Sequence, residues 1–364
     1  MSLKIARILF FIFLTVFTGA LSFVPGHNGD MPYYIAAAFE KQGMSEADAL
    51  SATKSVLNKE LDPEESRAHI YHLDHAEKNI LDYYRIKPLY ITSINFFHQL
   101  GFSYIRSGLI PSLLSFFLLG SLLFTWASKV FNPLAACIFS MILMFMNPCI
   151  ILARLSSPDP ISNLLLFICF YRIYFQKSYA LTIILIFISL FVRLDNFVTA
   201  IVLLPLMYFW PVKRTPGKMP LPAFFTCLLF SIIIGVWINF HYENNFWWFK
   251  RVGYIQSPVA YGHQVMIFCL SVSQSFLPAL LLMIVCAWFY RKASFDKKMI
   301  FLLTGIAGIF LFRFLLFPSF EERFATAYYL CGFLLVLESL TERPNIENIV
   351  LLKGDLKSSY TGEK

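Results

Sequence analysis

The sequence predicts an all-α polytopic membrane protein with about ten transmembrane helices and a large helical first extracytoplasmic loop. Hydrophobic residues make up 58% of the chain and charged residues only 14%, whereas soluble domains carry roughly 25% charged residues. The mean hydropathy is +0.64 over 364 residues. This implies more apolar surface than one soluble core can bury, so part of that surface must face lipid. Apolar runs of near-span length also recur along the chain.

The distribution of the positive charges and the positions of the cysteines argue against other classes of protein. The net charge is +8, but Lys and Arg lie mostly in short gaps between apolar runs, where they fix topology. Nucleic-acid binding needs basic residues clustered on a folded face, so no nucleic-acid partner is expected. All seven cysteines fall in apolar runs without a CxxC pair, which argues against a disulfide framework or a zinc knuckle.

A membrane helix needs about 20 apolar residues. The first run follows Lys4 and Arg7 like a signal peptide, but it lacks a small-x-small cleavage site and is interpreted as a retained span. At Arg193-Leu194-Asp195 one long kinked helix remains an alternative, and it would change the parity of the later spans. The predicted spans are 5–24, 104–127, 132–152, 160–176, 179–194, 196–211, 221–240, 265–290, 299–317 and 324–341.

The positive-inside rule tests these spans independently. With the N-terminus inside, Lys129, Lys177, the Lys213-Arg214 pair and Arg291-Lys292 fall in cytoplasmic gaps. We therefore expect an even number of spans, both termini in the cytoplasm and a bacterial inner-membrane location. Residues 1–341 would form the transmembrane domain, and residues 342–364 a cytoplasmic tail.

Residues 25–103 form the only predicted segment long enough for folded structure outside the bilayer. Helix-start signals occur at Asp30 with Pro32, at Ser45 with Asp48, and at Asp62 before Pro63. A fourth helix is predicted over Pro88–Leu100, ended by Gly101. Because it is apolar but too short to span, we expect it to lie in the membrane interface.

Charged residues converge on one predicted face of the membrane. Ionisable groups at helix ends inside a bundle are costly, so each is a functional candidate. Five groups fall on the extracytoplasmic side: Asp30, Arg154 with Asp159, Arg193 with Asp195, Arg313, and Glu321-Glu322-Arg323.

Each group has a structural alternative. Asp30 and Asp159 could cap the helices that follow them. Arg193 and Asp195 could form a structural ion pair, and Arg323 could anchor to lipid headgroups. The shared location of all these residues favours a common site.

A carboxylate near several arginines at the membrane edge suits a substrate with a phosphate headgroup and a lipid tail. The planar guanidinium of arginine binds phosphate oxygens and stabilises a phosphate leaving group. A carboxylate can accept the proton of an attacking hydroxyl or amine. Glycosyl transfer from a lipid-phosphate sugar requires both groups and a groove for the tail.

The sequence resembles the GT-C superfamily of membrane glycosyltransferases, which use polyprenyl-phosphate sugars. The resemblance is to the protein mannosyltransferase or lipid A aminoarabinose transferase type, without the C-terminal soluble domain. It covers most of the chain as a layout. Its short motifs are Gly29-Asp30-Met-Pro-Tyr33-Tyr34, Arg85-Ile-Lys-Pro88-Leu-Tyr90, Asn147-Pro148, Ser157-Pro158-Asp159 and Glu322-Arg323-Phe324.

The resemblance implies that Asp30 is the catalytic base of an inverting enzyme. It also implies that Arg313, Arg323 and Arg193 bind the donor phosphate. Asp30 lacks the second acidic neighbour that many members carry, which leaves metal use open. Supporting roles are expected for His27, Tyr33, Arg85, Asp159, Asp195 and Glu322.

Three further features have weaker functional interpretations. His69, His72 and His75 follow one another at a spacing of three, which turns the third away from the others. A divalent metal there is an alternative to a solvated helix, and no cofactor is otherwise implied. His27 could assist proton transfer. Phe246-Trp247-Trp248 is interpreted as part of an aromatic interface belt rather than a sugar platform.

The predicted function is therefore transfer of a sugar from a polyprenyl-phosphate lipid to a glycan, lipid or protein acceptor on the extracytoplasmic face. The alternatives are a transporter or flippase of a lipid-linked or anionic substrate and a non-catalytic membrane scaffold. Transporters usually contain internal repeats with matching broken helices, and this chain has no such repeat.

Overall fold

A computed structural model describes residues 1–75, 80–175, 179–209, 219–242, 296–316 and 322–340, with isolated residues between 257 and 270. Helix accounts for 84% of this described part, which contains no strand. The prediction of an all-α chain is confirmed. Most of the predicted span 265–290, and all of the aromatic triplet 246–248 and the tail 342–364, lie outside the described residues.

The described residues form a series of helices, and the five between the first two long apolar ones are shorter than either. They are α1 Leu3–Ser22, α2 Met31–Glu40, α3 Glu46–Glu60, α4 Pro63–Asp74, α5 Ile80–Arg85, α6 Pro88–Gln99, α7 Tyr104–Val130, α8 Pro133–Met144, α9 Asn147–Arg154, α10 Asp159–Tyr174, α11 Tyr179–Val192, α12 Asn196–Tyr208, α13 Leu221–His241, α14 Lys297–Leu316, a 3-10 turn Glu322–Phe324 and α15 Thr326–Leu340.

Within the described residues three helices are long and apolar enough to cross a membrane: α1, α7 and α13. The pair α8–α9 makes a fourth if its two parts count as one broken span. The other predicted spans on described residues coincide with shorter or less apolar helices, so the count of about ten spans remains a prediction. At 193–195 a turn separates α11 from α12, so the chain does not form the single kinked helix that was the alternative there.

The predicted span over 132–152 is divided into two helices, because α8 and α9 meet at a bend of 63°. Pro148 lies in the first turn of α9. A continuous helix would bring the ring of Pro148 against the carbonyl of Met144 and leave a hydrogen bond unmade. The chain therefore ends α8 at Met144 and begins again at Asn147.

The helix starts predicted in the first loop are confirmed. Ser45 caps α3 by accepting from the backbone N–H of Asp48 at 3.2 Å. Asp62 caps α4 by accepting from the N–H groups of Glu64 and Glu65 at 3.1 Å each. Gly101 follows α6 with a φ of 95°, a left-handed conformation that glycine adopts without strain.

Two large apolar cores account for most of the packing of the described residues. Helices α2–α6 bury one core with the start of α7, around residues such as Ile35, Leu57 and Tyr90. The long helices bury another core, around Phe10, Phe124 and Phe167. Helix α10 is central to the second core because it packs on α7, α11 and α15. The functional candidates lie where the two cores meet.

Candidate functional site

Asp30 is positioned by the short connection between α1 and α2. The N–H of Gly26 donates to the carbonyl of Arg154 at 2.8 Å, and the Arg154 side chain donates to the carbonyl of Val24 at 2.6 Å. These bonds attach the start of the loop to the turn before α10. They bring Asp30 to the same end of the bundle as Asp159.

The side chain of Asp30 does not cap α2. Its backbone is helical, with φ −80° and ψ −25°, whereas a capping side chain needs an extended backbone. The capping alternative is therefore wrong for Asp30. The carboxylate is held by other groups: the Tyr84 hydroxyl donates to Oδ1 at 2.7 Å, and Arg323 Nη2 donates to Oδ2 at 3.2 Å.

The Asp30 carboxylate is 32% exposed and ionised. Burial acts to raise its pKa, but the charges of Arg323 and Lys87 and the hydrogen bond from Tyr84 outweigh burial and lower the pKa below its usual value. Burial and the Asp30 charge raise the pKa of Tyr84. The Tyr84 hydroxyl thus remains a donor and fixes the orientation of the carboxylate.

Five further charged side chains continue from Asp30 into the bundle, and with Asp30 they form the bundle cluster. Their signs alternate. Arg323 Nε lies 3.3 Å from Asp159 Oδ2, Arg193 pairs with Asp159, and Arg193 also donates two hydrogen bonds of 2.9 Å to Asp195. Arg313 pairs with Asp195 as well. The six members are Asp30, Arg323, Asp159, Arg193, Asp195 and Arg313.

The bundle cluster settles two structural alternatives. Asp159 opens α10, but its carboxylate accepts from the Ser157 hydroxyl at 3.0 Å and pairs with arginines, so it is not a helix cap. Arg323 is 9% exposed and buried among carboxylates, so it does not extend as a headgroup anchor. Arg193 and Asp195 do form the ion pair that was considered for them, within the larger cluster.

Two neutral side chains hold the arginines in place. The ring of Phe324 packs against three guanidinium groups, those of Arg193, Arg323 and Arg313, with centroid distances of 4.1, 5.0 and 5.3 Å. Such contacts are favourable for cations over an aromatic face. Asn163 on α10 donates to the Arg323 carbonyl at 2.7 Å and thereby fixes the 3-10 turn.

Lys87 adds a buried cation on the loop side of Asp30. It is 5% exposed, and its ammonium lies 3.8, 4.7 and 5.1 Å from the ring centroids of Tyr83, Tyr84 and Tyr34. Burial lowers the pKa of Lys87 to about 7, against an opposing effect of Asp30. Its charge therefore depends on small changes of pH near neutrality.

The predicted supporting residue Arg85 lies in a different group, the loop cluster of Arg85, Glu40, Glu46 and Asp82. Arg85 Nη2 lies 2.5 Å from Glu40 Oε1 and 3.0 Å from Glu46 Oε2, and Arg85 also pairs with Asp82. These contacts join α2, α3 and α5. The structure does not bring Arg85 to Asp30.

Among the other supporting candidates, Asp159 and Asp195 belong to the bundle cluster, whereas His27 and Tyr33 bind elsewhere. His27 Nδ1 lies 2.5 Å from Glu65 Oε1 on α4. The Tyr33 hydroxyl donates to the carbonyl of His72 at 3.1 Å, while its ring stacks on Tyr84. The backbone of Glu322 belongs to the 3-10 turn, and its side chain lies outside the described residues.

The histidine run does not converge. His69 is 6% exposed, His72 contributes its carbonyl to Tyr33, and His75 contacts the carbonyl of Tyr71 at 2.9 Å. In the described part of the chain no group of three or more His, Cys, Asp or Glu side chains could hold a metal ion.

Sequence reasoning missed Tyr84, Lys87, Phe324 and Asn163. Tyr84 and Lys87 lie one residue before and two residues after Arg85. The prediction for this motif named Arg85 as the functional residue. A lysine between Ile86 and Pro88 in an apolar setting was the available signal, because such a cation needs a buried partner. Asn163 gave no signal, since its contacts join segments that are distant along the chain.

The described residues thus define an all-α protein with membrane-compatible helices and a charged site between its first loop and its helical bundle. Comparisons with protein families, curated proteins and solved structures gave no match.

Proposed function

We propose that this chain is an integral membrane glycosyltransferase of the GT-C type. It moves a sugar from a polyprenyl-phosphate donor to an acceptor on the extracytoplasmic face. The observation that carries the proposal is the position of Asp30, an ionised carboxylate that is 32% exposed at the open end of a buried cluster of arginines. General base and phosphate-binding groups thereby lie side by side.

Asp30 acts as the general base. Tyr84 occupies Oδ1 and Arg323 contacts Oδ2, and each carboxylate oxygen has a second lone pair for an acceptor hydroxyl. The acceptor oxygen attacks the anomeric carbon while its proton passes to Asp30. The bond from that carbon to the phosphate oxygen breaks, and its electron pair leaves with the polyprenyl phosphate. The anomeric configuration is inverted by this single displacement.

The cations of the site bind the donor phosphate and stabilise its departure. Arg323 contacts Asp30, and the charge of Lys87 also acts on Asp30. Arg193 and Arg313 lie further along the bundle cluster. Three carboxylates offset the three arginines, so Lys87 in its protonated form leaves a positive balance. A phosphate is attracted to such a site, and guanidinium groups bind its oxygens with directional hydrogen bonds.

The apolar helices suit a lipid-linked donor. Helices α1, α7 and α13 are long enough to cross a bilayer, and the site lies at one end of the bundle they form. We place this end at the extracytoplasmic face of a bacterial inner membrane, with about ten spans and both termini in the cytoplasm. The prenyl tail would then lie among lipid-facing helices.

The proposal is tested with purified protein in lipid nanodiscs and a panel of polyprenyl phosphates that carry radiolabelled sugars. We expect release of polyprenyl phosphate with at least one sugar, and a loss of about a hundredfold or more in Asp30→Asn at matched folded protein, because general base catalysis contributes about that much. Full activity of Asp30→Asn would refute the role of Asp30. Movement of the intact lipid across a bilayer without a covalent product would favour a flippase.

A further inference from the structure

The three arginines of the bundle cluster are held with unequal strength. Arg193 makes two hydrogen bonds of 2.9 Å to Asp195 and also pairs with Asp159. Arg323 lies at 3.2 Å from Asp30 and at 3.3 Å from Asp159. Ordinary charge-assisted bonds measure about 2.7–2.9 Å. Arg323 therefore lies farther from Asp30 and Asp159 than Arg193 lies from Asp195.

The carboxylates also differ in access. The Asp159 side chain is 2% exposed and that of Asp195 is 19% exposed, whereas Asp30 is 32% exposed. The Asp30–Arg323 contact is thus the most open pair of the cluster. It also joins two separate parts of the fold, the first loop and the 3-10 turn before α15.

We infer that Asp30 and the phosphate group of a polyprenyl lipid compete for Arg323, so that binding of the phosphate opens the Asp30–Arg323 contact and frees the carboxylate. The phosphodiester of a sugar-charged donor carries one negative charge and two free oxygens, and the phosphate monoester that it releases carries up to two charges and three free oxygens. Either group therefore displaces a single carboxylate oxygen at 3.2 Å more readily than the two-bond pair of Arg193 with Asp195. Arg323 is the residue that couples donor binding to the base.

The coupling gives the reaction an order. With Arg323 on Asp30, the carboxylate is stabilised as an ion and is a weak proton acceptor. Once a phosphate takes Arg323, one of the charges that lower the pKa of Asp30 is neutralised, and the carboxylate becomes more basic. The base is thus strengthened only when a donor is present. This step rests on the proposed function for its choice of ligand, a polyprenyl phosphate.

The test measures the affinity of a fluorescent polyprenyl monophosphate at pH 8 for the full chain in nanodiscs. We expect Asp30→Asn to bind about fivefold more tightly than the wild type, because a competing ion pair has been removed. Arg323→Gln should bind about tenfold more weakly. Asp74→Asn is the matched control, since it removes one loop carboxylate from an exposed pair with Lys54, and its affinity should equal that of the wild type.

A double-mutant cycle separates local competition from general electrostatics. In the Arg323→Gln background, Asp30→Asn should no longer tighten binding. An equal gain in both backgrounds would mean that Asp30 acts only through its net charge and would overturn the inference. Unchanged or weaker binding by Asp30→Asn in the wild-type background would overturn it as well.

Two further measurements test whether misfolding or the binding of free phosphate accounts for the result. Asp30→Ser repeats the measurement if Asp30→Asn does not give folded protein, with the thermal unfolding midpoint as the check. Inorganic phosphate should displace the probe only at a much higher concentration, because it lacks the apolar tail; displacement at equal concentration would assign the site to free phosphate instead. Tighter binding by Asp30→Asn in a protein that transfers no sugar would retain the competition and reject the glycosyltransferase.

Discussion

The bundle cluster and the loop cluster both assemble charges from several helices, but in opposite proportions. In the loop cluster a single guanidinium, Arg85, serves three carboxylates whose side chains are 14–41% exposed. In the bundle cluster three guanidiniums alternate with three carboxylates around the ring of Phe324, and Asp159 at its centre is 2% exposed.

The difference indicates which cluster can bind an anion. The loop cluster has a net charge of −2 and repels a phosphate, so its contacts serve to join α2, α3 and α5. The bundle cluster is neutral by itself and becomes positive with Lys87. A phosphate can therefore replace one carboxylate there without leaving a buried charge unpaired. Charge ratio, rather than the presence of arginine, separates the structural group from the candidate site.

The largest effect is expected for Asp159→Asn. This carboxylate lies between Arg193 and Arg323, so its neutralisation removes one carboxylate partner from each of two buried cations. Breaking a buried ion pair typically costs about 3–5 kcal/mol. We expect a large fall of the thermal unfolding midpoint in detergent, which differential scanning fluorimetry measures. A midpoint within error of the wild type would show that the bundle cluster does not support the fold.

A smaller loss of stability is expected for Arg85→Gln. The loop cluster is partly exposed, so its ion pairs are screened and the loss should be about 1–2 kcal/mol. The affinity for polyprenyl phosphate should not change, because Arg85 does not contact the bundle cluster. Weaker lipid binding at equal folded protein would return Arg85 to the site and remove the contrast between the two clusters.

Lys87 should make phosphate binding dependent on pH. Its pKa is lowered from 10.5 to about 7, so the ammonium loses its charge as the pH rises through this value. The second pKa of a phosphate lies near 6, so the ligand itself gains no further charge above neutrality. We expect affinity to fall about tenfold between pH 6.5 and 8.5. Lys87→Met should bind weakly with a flat profile; a wild-type profile that stays flat would place Lys87 outside the site.

The effect of Lys87 on stability has the opposite pH dependence to its effect on phosphate affinity. Between pH 7 and 10.5 the unfolded chain binds a proton at Lys87 that the folded chain does not hold. This group therefore makes the protein more stable as the pH rises through that interval. The contribution should disappear in Lys87→Met, which chemical denaturation at several pH values can check.

The smallest effect is expected for Tyr84→Phe. The hydroxyl helps to lower the pKa of Asp30, so its removal raises that pKa. The acidic limb of the pH–rate profile should move upward by about half a pH unit, which corresponds to about 0.7 kcal/mol. The wild-type and variant profiles should coincide at high pH, where Asp30 is ionised in both. A limb that does not move would separate Tyr84 from the base.

Local signals predicted much of this arrangement. The start signals at Ser45 and Asp62, and the stop at Gly101, are properties of a few adjacent residues, so they were predictable from composition and spacing. The common location of Asp30, Asp159, Arg193, Arg313 and Arg323 followed from counting apolar runs, because each run reverses the direction of the chain. The structure brings these five side chains together.

What could not be predicted depends on contacts between distant segments. Arg85 and Lys87 are two residues apart, yet Arg85 is drawn to Glu40 and Glu46 while Lys87 lies among tyrosines next to Asp30. Nothing in their spacing decides which one faces the bundle, because that depends on how α5 packs against α2. Phe324 stood in a quoted motif, but its role was not predicted, since that role depends on three arginines from separate segments.

The most direct test is single-turnover release of polyprenyl phosphate from its sugar-charged form by the wild type, Asp30→Asn and Arg85→Gln. Protein amounts are matched by the folded fraction. The account predicts that Asp30→Asn slows release by about a hundredfold or more, while Arg85→Gln stays within about threefold of the wild type. Equal rates for the wild type and Asp30→Asn would contradict it.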